Sequence, residues 1–204
     1  MTNHRPTCYQ CNRPKSLCLC KKISPVKTKT KFILLIHPKE FKHIKNNTGR
    51  LTHLSLPNSE LFVGVDFSEH KRLNTILQNP ENECYILFPS QESLSLETSD
   101  IPKEGKQLVI ILIDATWSSA KPMLRLSKNL HHLPKLSFSH SKSSAYTFKR
   151  QPFTQALSTM ESTQVVLEIL TQKGVENIST EKLDNFLNPF YEMINYQLKF
   201  SPWK

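Results

Sequence analysis

The segment Asp114-Ala115-Thr116-Trp117 places a carboxylate directly after residues 108–113, a run that is apolar at every position. A carboxylate in such surroundings is costly to hold unless it is solvated, paired or used in chemistry. Two interpretations follow from the residue types alone: Asp114 acts in catalysis, or Asp114, Thr116 or Ser119 caps a helix that begins here. The indole of Trp117 either binds a flat ring or a cation, or it fills the core.

Four of the five cysteines, Cys8, Cys11, Cys18 and Cys20, follow a C-x2-C-x6-C-x-C pattern. This spacing lets four thiolates reach one tetrahedral ion, and zinc fits such ligands best. Free thiols and an iron–sulfur cluster are the alternatives, because a pair with one intervening residue is unusual for zinc. A zinc site with four protein ligands is structural, since it leaves no open position for a substrate. The fifth cysteine, Cys84, lies in an apolar run and is expected to be a buried small hydrophobe.

Two further segments join small polar residues to an arginine. Asn47-Thr48-Gly49-Arg50 combines a small, flexible turn with a guanidinium, a group that binds carboxylates and phosphates. Ser143, Ser144 and Tyr146 precede Arg150-Gln151-Pro152, and a solvated surface loop is the simplest interpretation of that stretch.

The segment Ser158-Thr159-Met160-Glu161 has the pattern of a capping box, in which Ser158 and Glu161 satisfy each other's backbone amides. We favour this structural interpretation over a direct role in chemistry. The chain has only four glycines and no glycine-rich phosphate loop, which argues against nucleotide hydrolases and dinucleotide-binding enzymes.

Short apolar runs alternate with polar segments of helical length, which predicts an α/β domain with a largely parallel sheet. Residues 108–113 are expected to form a central strand covered on both faces, with ligands at its carboxyl end. The predicted strands span residues 32–36, 61–65, 84–88, 108–113 and 135–138. The predicted helices span residues 118–127, 158–172 and 180–198, with Gly174 ending the second and Pro189 kinking or dividing the third.

The length of 204 residues suits one well-buried core with a small appendage. Residues 21–31 are rich in Lys, Thr and Pro and resemble a connector, so we assign a Cys-rich module to residues 1–28 and the main domain to residues 29–204. A net charge of +10 favours an acidic partner such as nucleic acid, although excess lysine can serve solubility alone. With no apolar run of about 18 residues and no signal-like start, we expect a cytoplasmic protein without membrane contact.

Together these motifs resemble the DTW-domain family, which is named for the D-x-T-W tetrapeptide that begins here at Asp114. Each motif is weak alone, but their order and spacing over residues 8–172 make the set specific. The other matching motifs are Cys8-x2-Cys11-x-Arg-Pro-x3-Cys18-x-Cys20, His37-Pro38-x-Glu40, Asn47-Thr48-Gly49-Arg50-Leu51, Leu87-Phe88-Pro89-Ser90, residues 143–146, Arg150-Gln151-Pro152 and Leu157-Ser158-Thr159-Met160-Glu161. One departure is Lys121-Pro122-Met123, where family members tend to carry a basic residue at the second position.

The resemblance implies a SPOUT-like α/β fold with a mostly parallel sheet, helices on both faces and a C-terminal knot. It also implies an enzyme that moves the 3-amino-3-carboxypropyl group of S-adenosylmethionine onto a uridine of tRNA, giving acp3U and methylthioadenosine. S-adenosylmethionine is then the co-substrate, Zn²⁺ a structural metal and tRNA the partner, and no obligate protein partner is inferred.

The resemblance assigns roles to residues of this chain. Asp114, Thr116 and Trp117 are the catalytic candidates, and the four clustered cysteines are the zinc ligands. The candidates for contact with S-adenosylmethionine are Pro89, Ser90, Asp114, Trp117, Tyr146, Arg150, Ser158, Thr159 and Glu161. The candidates for contact with the RNA substrate or its phosphates are Asn47, Thr48, Arg50 and Arg150.

Within this scheme, Asp114 is either the general base toward the uridine imide or an anchor for the amino group of the co-substrate. Arg150 and Arg50 are the candidates to bind its carboxylate. Two other functions stay open: a methyltransferase that keeps the fold and co-substrate, and a zinc-bearing RNA-binding protein without catalysis.

Overall fold

Six strands make up the sheet in the computed structural model, which describes residues 6–43, 47–139 and 157–200. They are β1 (Lys31–Ile36), β2 (Ser59–Val63), β3 (Asn82–Leu87), β4 (Leu94–Ser95), β5 (Gln107–Asp114) and β6 (Lys135–Ser137). Their order across the sheet is β2-β1-β5-β3-β6-β4, and each neighbouring pair of these strands is parallel. The predicted parallel α/β sheet is therefore confirmed.

β5 is central because it is apolar on both faces. Residues 108–112 of β5 are all buried, and β1 and β3 flank the strand on either side. Alternate side chains enter two separate cores: Leu108, Ile110 and Leu112 face one, and Val109 and Ile111 face the other. This burial pattern explains why the sequence of β5 does not alternate between apolar and polar residues.

Helices cover both faces of the sheet. They are α1 (Pro38–His43), α2 (Thr48–Ser55), α3 (Lys71–Gln78), α4 (Trp117–Leu126), α5 (Thr159–Gln172), α6 (Thr180–Phe186) and α7 (Asn188–Phe200). Helices α2, α5, α6 and α7 contribute to the core that contains Ile110, whereas α3 and α4 contribute to the core that contains Ile111. No helix among residues 6–43, 47–139 and 157–200 is long and apolar enough to cross a bilayer.

The C-terminal helices follow their sequence signals. After α5, Gly174 adopts a φ of 74°, and the amides of Gly174 and Val175 bond the carbonyls of Thr171 and Leu170 at 3.0 and 2.9 Å. This is a Schellman ending, which favours glycine because only glycine takes a positive φ without strain. Pro189 divides the next helical segment into α6 and α7, because its ring fits the first turn of a new helix and not the interior of a long one.

Some sequence boundaries were wrong. β2 begins at Ser59, two residues before the predicted strand, because Ser59 and Glu60 pair with Phe32 and Ile33 of β1 despite being polar. β3 likewise begins at Asn82. Hydrogen-bonded pairing with a buried parallel neighbour determines where β2 and β3 begin. The order of polar and apolar residues in the sequence does not reveal that pairing.

Candidate active site

Asp114 is the last residue of β5, and its side chain is only 7% exposed. The hydroxyl of Thr159 donates to its Oδ1 at 2.6 Å, and the side-chain amide of Asn47 donates to its Oδ2. Hydrogen bonds of this kind stabilise a buried carboxylate in its ionised form. The residues come from the end of β5, the start of α2 and the start of α5, so three distant motifs meet at one carboxylate.

Asn47 has a second role, because its Oδ1 accepts a hydrogen bond of 2.7 Å from the backbone amide of Arg50. It is therefore the N-cap of α2 as well as a donor to Asp114. The prediction of a flexible turn at residues 47–50 was wrong, since Thr48, Gly49 and Arg50 form the first turn of a helix.

Glycine is needed at position 49 because the Asp114 carboxylate lies against its Cα, and not because the backbone there has to be flexible. A Cβ built on Gly49 would lie 2.6 Å from both Cγ and Oδ2 of Asp114. Backbone and carboxylate can approach this closely only where no side chain intervenes. The first turn of α2 thus packs directly against the Asp114 carboxylate.

The start of α4 differs from the sequence prediction, which offered the side chain of Asp114, Thr116 or Ser119 as its cap. Thr116 occupies the N-cap position, but its hydroxyl bonds the hydroxyls of Ser118 and Ser119 at 3.0 Å and makes no side-chain bond to a backbone amide. Ser119 lies inside the first turn of the helix. The partners found for the Asp114 carboxylate are the side chains of Asn47 and Thr159, and no backbone amide of α4 is among these described partners.

The capping box at α5 is confirmed. The hydroxyl of Ser158 accepts from the amide of Glu161 at 3.3 Å, and the Glu161 carboxylate accepts from the amide of Ser158 at 2.8 Å. This reciprocal pair fixes the first turn of α5 and thereby the position of Thr159. For Ser158 and Glu161, contact with a co-substrate stays a prediction.

A cavity of about 770 Å³ opens at the carboxyl ends of β3, β5 and β6. Three of the predicted contact residues, Pro89, Trp117 and Thr159, line it, and the rings of Trp117 and Phe88 lie 5.4 Å apart. Its apolar wall consists of Leu87, Phe88, Leu112, Ile113, Leu136, Phe138 and Leu157. A mostly apolar cavity of this size, with a few polar groups, suits a ligand as large as a nucleoside derivative.

The four clustered cysteines have the geometry of a metal site. Their Sγ atoms all lie within 4.8 Å of one another, with 3.7 Å between Cys8 and Cys20 and 3.8 Å between Cys11 and Cys18. A tetrahedron with Zn–S bonds of about 2.3 Å has S–S edges of about 3.8 Å, so the four thiols fit zinc. Hydrogen bonds from the backbone of Cys11 and then Gln10 lower the pKa of Cys8 to about 6, whereas burial raises the pKa of Cys20. The fit to zinc therefore rests on the S–S distances and not on the pKa values.

The Cys-rich module is packed onto the sheet domain. The guanidinium of Arg13 is buried and lies 2.9 Å from the sulfur of Met193 on α7, and Lys22 pairs with Glu192 at 2.8 Å. Leu19 is part of the core that α5 and α7 enclose. This Cys-rich segment therefore shares the main core, and the division of the chain at residue 28 stays a prediction.

Comparison with known proteins gives the family. A family model described as the DTW domain matches residues 5–198, nearly the whole chain. The chain belongs to the DTW domain family. No solved structure matches this chain.

Curated relatives of this DTW chain carry one type of name. It is 30% identical over 199 residues to tRNA-uridine aminocarboxypropyltransferase 2 of Mus musculus, covering 96% of the chain and 64% of the mouse protein. It is 28% identical over 203 residues to the Drosophila melanogaster protein of the same name, covering 96% of the chain and 76% of the fly protein. An Arabidopsis thaliana protein, tRNA-uridine aminocarboxypropyltransferase A, is 29% identical over 139 residues, or 62% of this chain and 53% of the plant protein. The chain thus spans just under two thirds of the mouse relative.

Not every predicted site residue of this DTW chain lies at the cavity. The Arg50 guanidinium lies 4.0 Å from the centre of the Phe41 ring, and burial lowers its pKa while the nearby Cys11 thiol opposes that effect. Its Nη2 is buried without a hydrogen-bond partner among the described residues. Thr48 is buried in α2, and Ser90 bonds Ser93 in an exposed turn.

Two predicted residues, Tyr146 and Arg150, lie outside the described residues, together with Ser143 and Ser144. Sequence reasoning also missed polar residues that line the cavity and had no role assigned: Ser137, Ser139, Ser162 and, as the one cation among the described lining residues, Lys121. The signal was available: Lys121 follows Trp117 by four positions on α4, and residues spaced i, i+4 share a helix face.

Proposed function

We propose that this protein transfers the 3-amino-3-carboxypropyl group of S-adenosylmethionine to a uridine of tRNA. The observation that carries the proposal is the D-x-T-W carboxylate, Asp114, which accepts hydrogen bonds from Asn47 and from Thr159. Thr159 lines the apolar cavity, as do Ile113 and Ala115 on either side of Asp114 in the sequence. The names of the relatives that match 96% of the chain support the same activity. A net charge of +10 suits the phosphates of tRNA.

In the proposed step, the deprotonated imide nitrogen of uridine attacks the γ-methylene carbon of the co-substrate. The imide proton has passed to solvent before the attack. The carbon–sulfur bond then breaks, its electron pair stays on sulfur, and neutral methylthioadenosine leaves. Any of three carbons on a sulfonium can react, so the binding site decides the product by holding one of them in line with the nucleophile. The apolar wall near Trp117 would cover the methyl group and the adenosine.

Asp114 is proposed as an anchor for the positive charges of the co-substrate. Two donors stabilise its ionised form, and an ionised, oriented carboxylate attracts an ammonium or sulfonium group strongly when little water is near. The alternative is that Asp114 acts as a general base toward the imide. In that case, a variant without the carboxylate would keep its affinity for the co-substrate and lose only turnover.

Lys121 is proposed as a cation for the carboxylate of the co-substrate, because it lies at the cavity on the same helix face as Trp117. Arg150 retains the same proposed role from the sequence. Pro89, which lines the cavity, is proposed to supply backbone contacts to the adenosine. The roles of Ser90 and Thr116, which do not line the cavity, stay predictions from the sequence.

We further propose that Cys8, Cys11, Cys18 and Cys20 hold a structural Zn²⁺, which would stabilise the module of residues 1–28 against residues 29–204. The SPOUT-like knot at the C-terminal side stays a proposal drawn from the family resemblance, and a cytoplasmic location stays one drawn from the sequence.

The test is product analysis after incubation of the full chain with S-adenosylmethionine and unmodified tRNA. Methylthioadenosine that forms only with tRNA supports the proposal, and S-adenosylhomocysteine would make the protein a methyltransferase. Asp114→Asn then tests the anchor: we expect co-substrate affinity to fall roughly ten- to hundredfold, as for loss of a hydrogen bond to a charged group. Unchanged affinity with lost turnover would assign Asp114 as the base. Asp100→Asn, at an exposed carboxylate, is the matched control.

A further inference from the structure

The turn between Cys8 and Cys11 presents a large aromatic side chain to solvent. Tyr9 is 96% exposed, far more than any other large hydrophobic side chain among the described residues. The turn is fixed on both sides, because the amide of Cys8 bonds the carbonyl of Arg13 at 2.7 Å and the amide of Asn12 bonds the carbonyl of Cys8 at 2.9 Å. Tyr9 therefore offers both faces of its ring from an ordered backbone.

The surface around this turn is basic. The first acidic residue in the sequence is Glu40, so the Cys-rich module contains no carboxylate side chain. Lys15, Lys21 and Lys27 are exposed, and none of them forms an ion pair within the described part of the chain. Four thiolates around a Zn²⁺ ion would add a net charge of −2, which the +3 of these three exposed lysines exceeds.

The module lies close to the candidate active site. Arg13 anchors it to Met193 of α7, and the amide of Val26 bonds the carbonyl of Ser55, the last residue of α2, at 2.9 Å. Asn47, the N-cap of the same helix, donates to Asp114. Eight helical residues span about 12 Å along the axis, so a macromolecule of the size of tRNA that reaches Asp114 can also contact the module.

We propose that the surface of the Cys-rich module is a docking site for an unpaired loop of tRNA, with Tyr9 stacking on one exposed base and the lysines contacting phosphates. Proteins that bind single-stranded RNA combine these two elements, an aromatic ring for stacking and a basic surface for the backbone. A Tyr ring stacks on any base, so this site selects an unpaired, accessible loop and not a sequence. The inference rests on the proposed function for the identity of the RNA.

Tyr9→Ala in the zinc-loaded full chain tests the proposal, with the dissociation constant for tRNA measured at one fixed salt concentration. We expect affinity to fall roughly fivefold to hundredfold, the usual effect of losing one base–aromatic stack, and Tyr9→Phe to stay within about twofold of the unmodified protein. Tyr191→Ala, at a partly exposed tyrosine on α7, is the matched control and should leave affinity unchanged. Replacing Lys21 and Lys27 by Ala should reduce the salt dependence of binding by about 0.7 to 0.9 per lysine in the log–log slope.

Zinc content, thermal midpoint and S-adenosylmethionine affinity should be the same in Tyr9→Ala and the unmodified protein, because Tyr9 contributes little to the core. If Tyr9→Ala binds tRNA as tightly as the unmodified protein, the docking site is refuted while the proposed function stands. If the unmodified protein binds tRNA and Tyr9→Ala does not, but no aminocarboxypropyl transfer occurs, the docking site stands and the proposed activity fails. An unmodified protein that binds no tRNA overturns both.

Discussion

Asn47 joins helix capping to the orientation of Asp114, and two substitutions separate these roles. Asn47→Ser keeps an acceptor for the Arg50 amide but loses the amide donor to Asp114. Asn47→Ala loses both. Loss of the donor to a buried carboxylate costs about 1.5 to 3 kcal/mol of unfolding free energy, and loss of the cap adds about 1 kcal/mol.

We therefore expect Asn47→Ala to be less stable than Asn47→Ser by about 1 kcal/mol in denaturant unfolding. The two variants should nevertheless lose kcat/KM for S-adenosylmethionine by a similar factor, roughly ten- to hundredfold, because both leave Asp114 without the Asn47 donor. His70→Ala is the control for a lost cap, since His70 caps α3 on the opposite face of the sheet and should leave kcat/KM unchanged. An Asn47→Ser variant with the kcat/KM of the unmodified protein would refute the positioning role.

Three other results follow from the structure. Gly49→Ala should lower the unfolding free energy by about 1 to 3 kcal/mol in a denaturant titration and reduce activity, because the added methyl group collides with the Asp114 carboxylate. Lys121→Ala should raise the KM for S-adenosylmethionine about tenfold in a steady-state assay, and Lys121→Arg should restore most of the affinity. A hydrogen bond from Arg72 lowers the pKa of Glu60 from 4.5 to about 2. The ionised carboxylate therefore stabilises the fold above about pH 4.5, and this contribution is lost as the pH falls toward 2. In Glu60→Gln, the decrease in unfolding free energy between pH 4.5 and 2 should be smaller by an amount on the order of 1 kcal/mol, and by less in high salt.

The sheet was predictable because its centre carries the strongest sequence signal. Residues 108–113 are apolar without interruption, and a strand buried on both faces needs that composition. The short helix α2 was not predicted, because eight residues that include Thr48 and Gly49 have little intrinsic helical preference. Its cap by Asn47 and its packing against Asp114 determine it, and both depend on the tertiary structure.

The sequence identified the residues of the candidate site more readily than the contacts between them. Asp114, Asn47 and Thr159 were each singled out from local motifs, yet the hydrogen bonds among them join residues 67 and 45 positions apart. No local periodicity reveals such pairs. Conversely, the position of Lys121 at the cavity follows from helical spacing, once Trp117 is taken as a wall of that cavity.

The central claim is that the aminocarboxypropyl group, and not the methyl group, reaches the tRNA. The most direct measurement uses two samples of S-adenosylmethionine, one labelled in the carboxyl group and one in the methyl group, each incubated with the full chain and unmodified tRNA. We expect tRNA to acquire the carboxyl label alone. Methyl label in tRNA without carboxyl label would contradict the account and assign the protein as a methyltransferase.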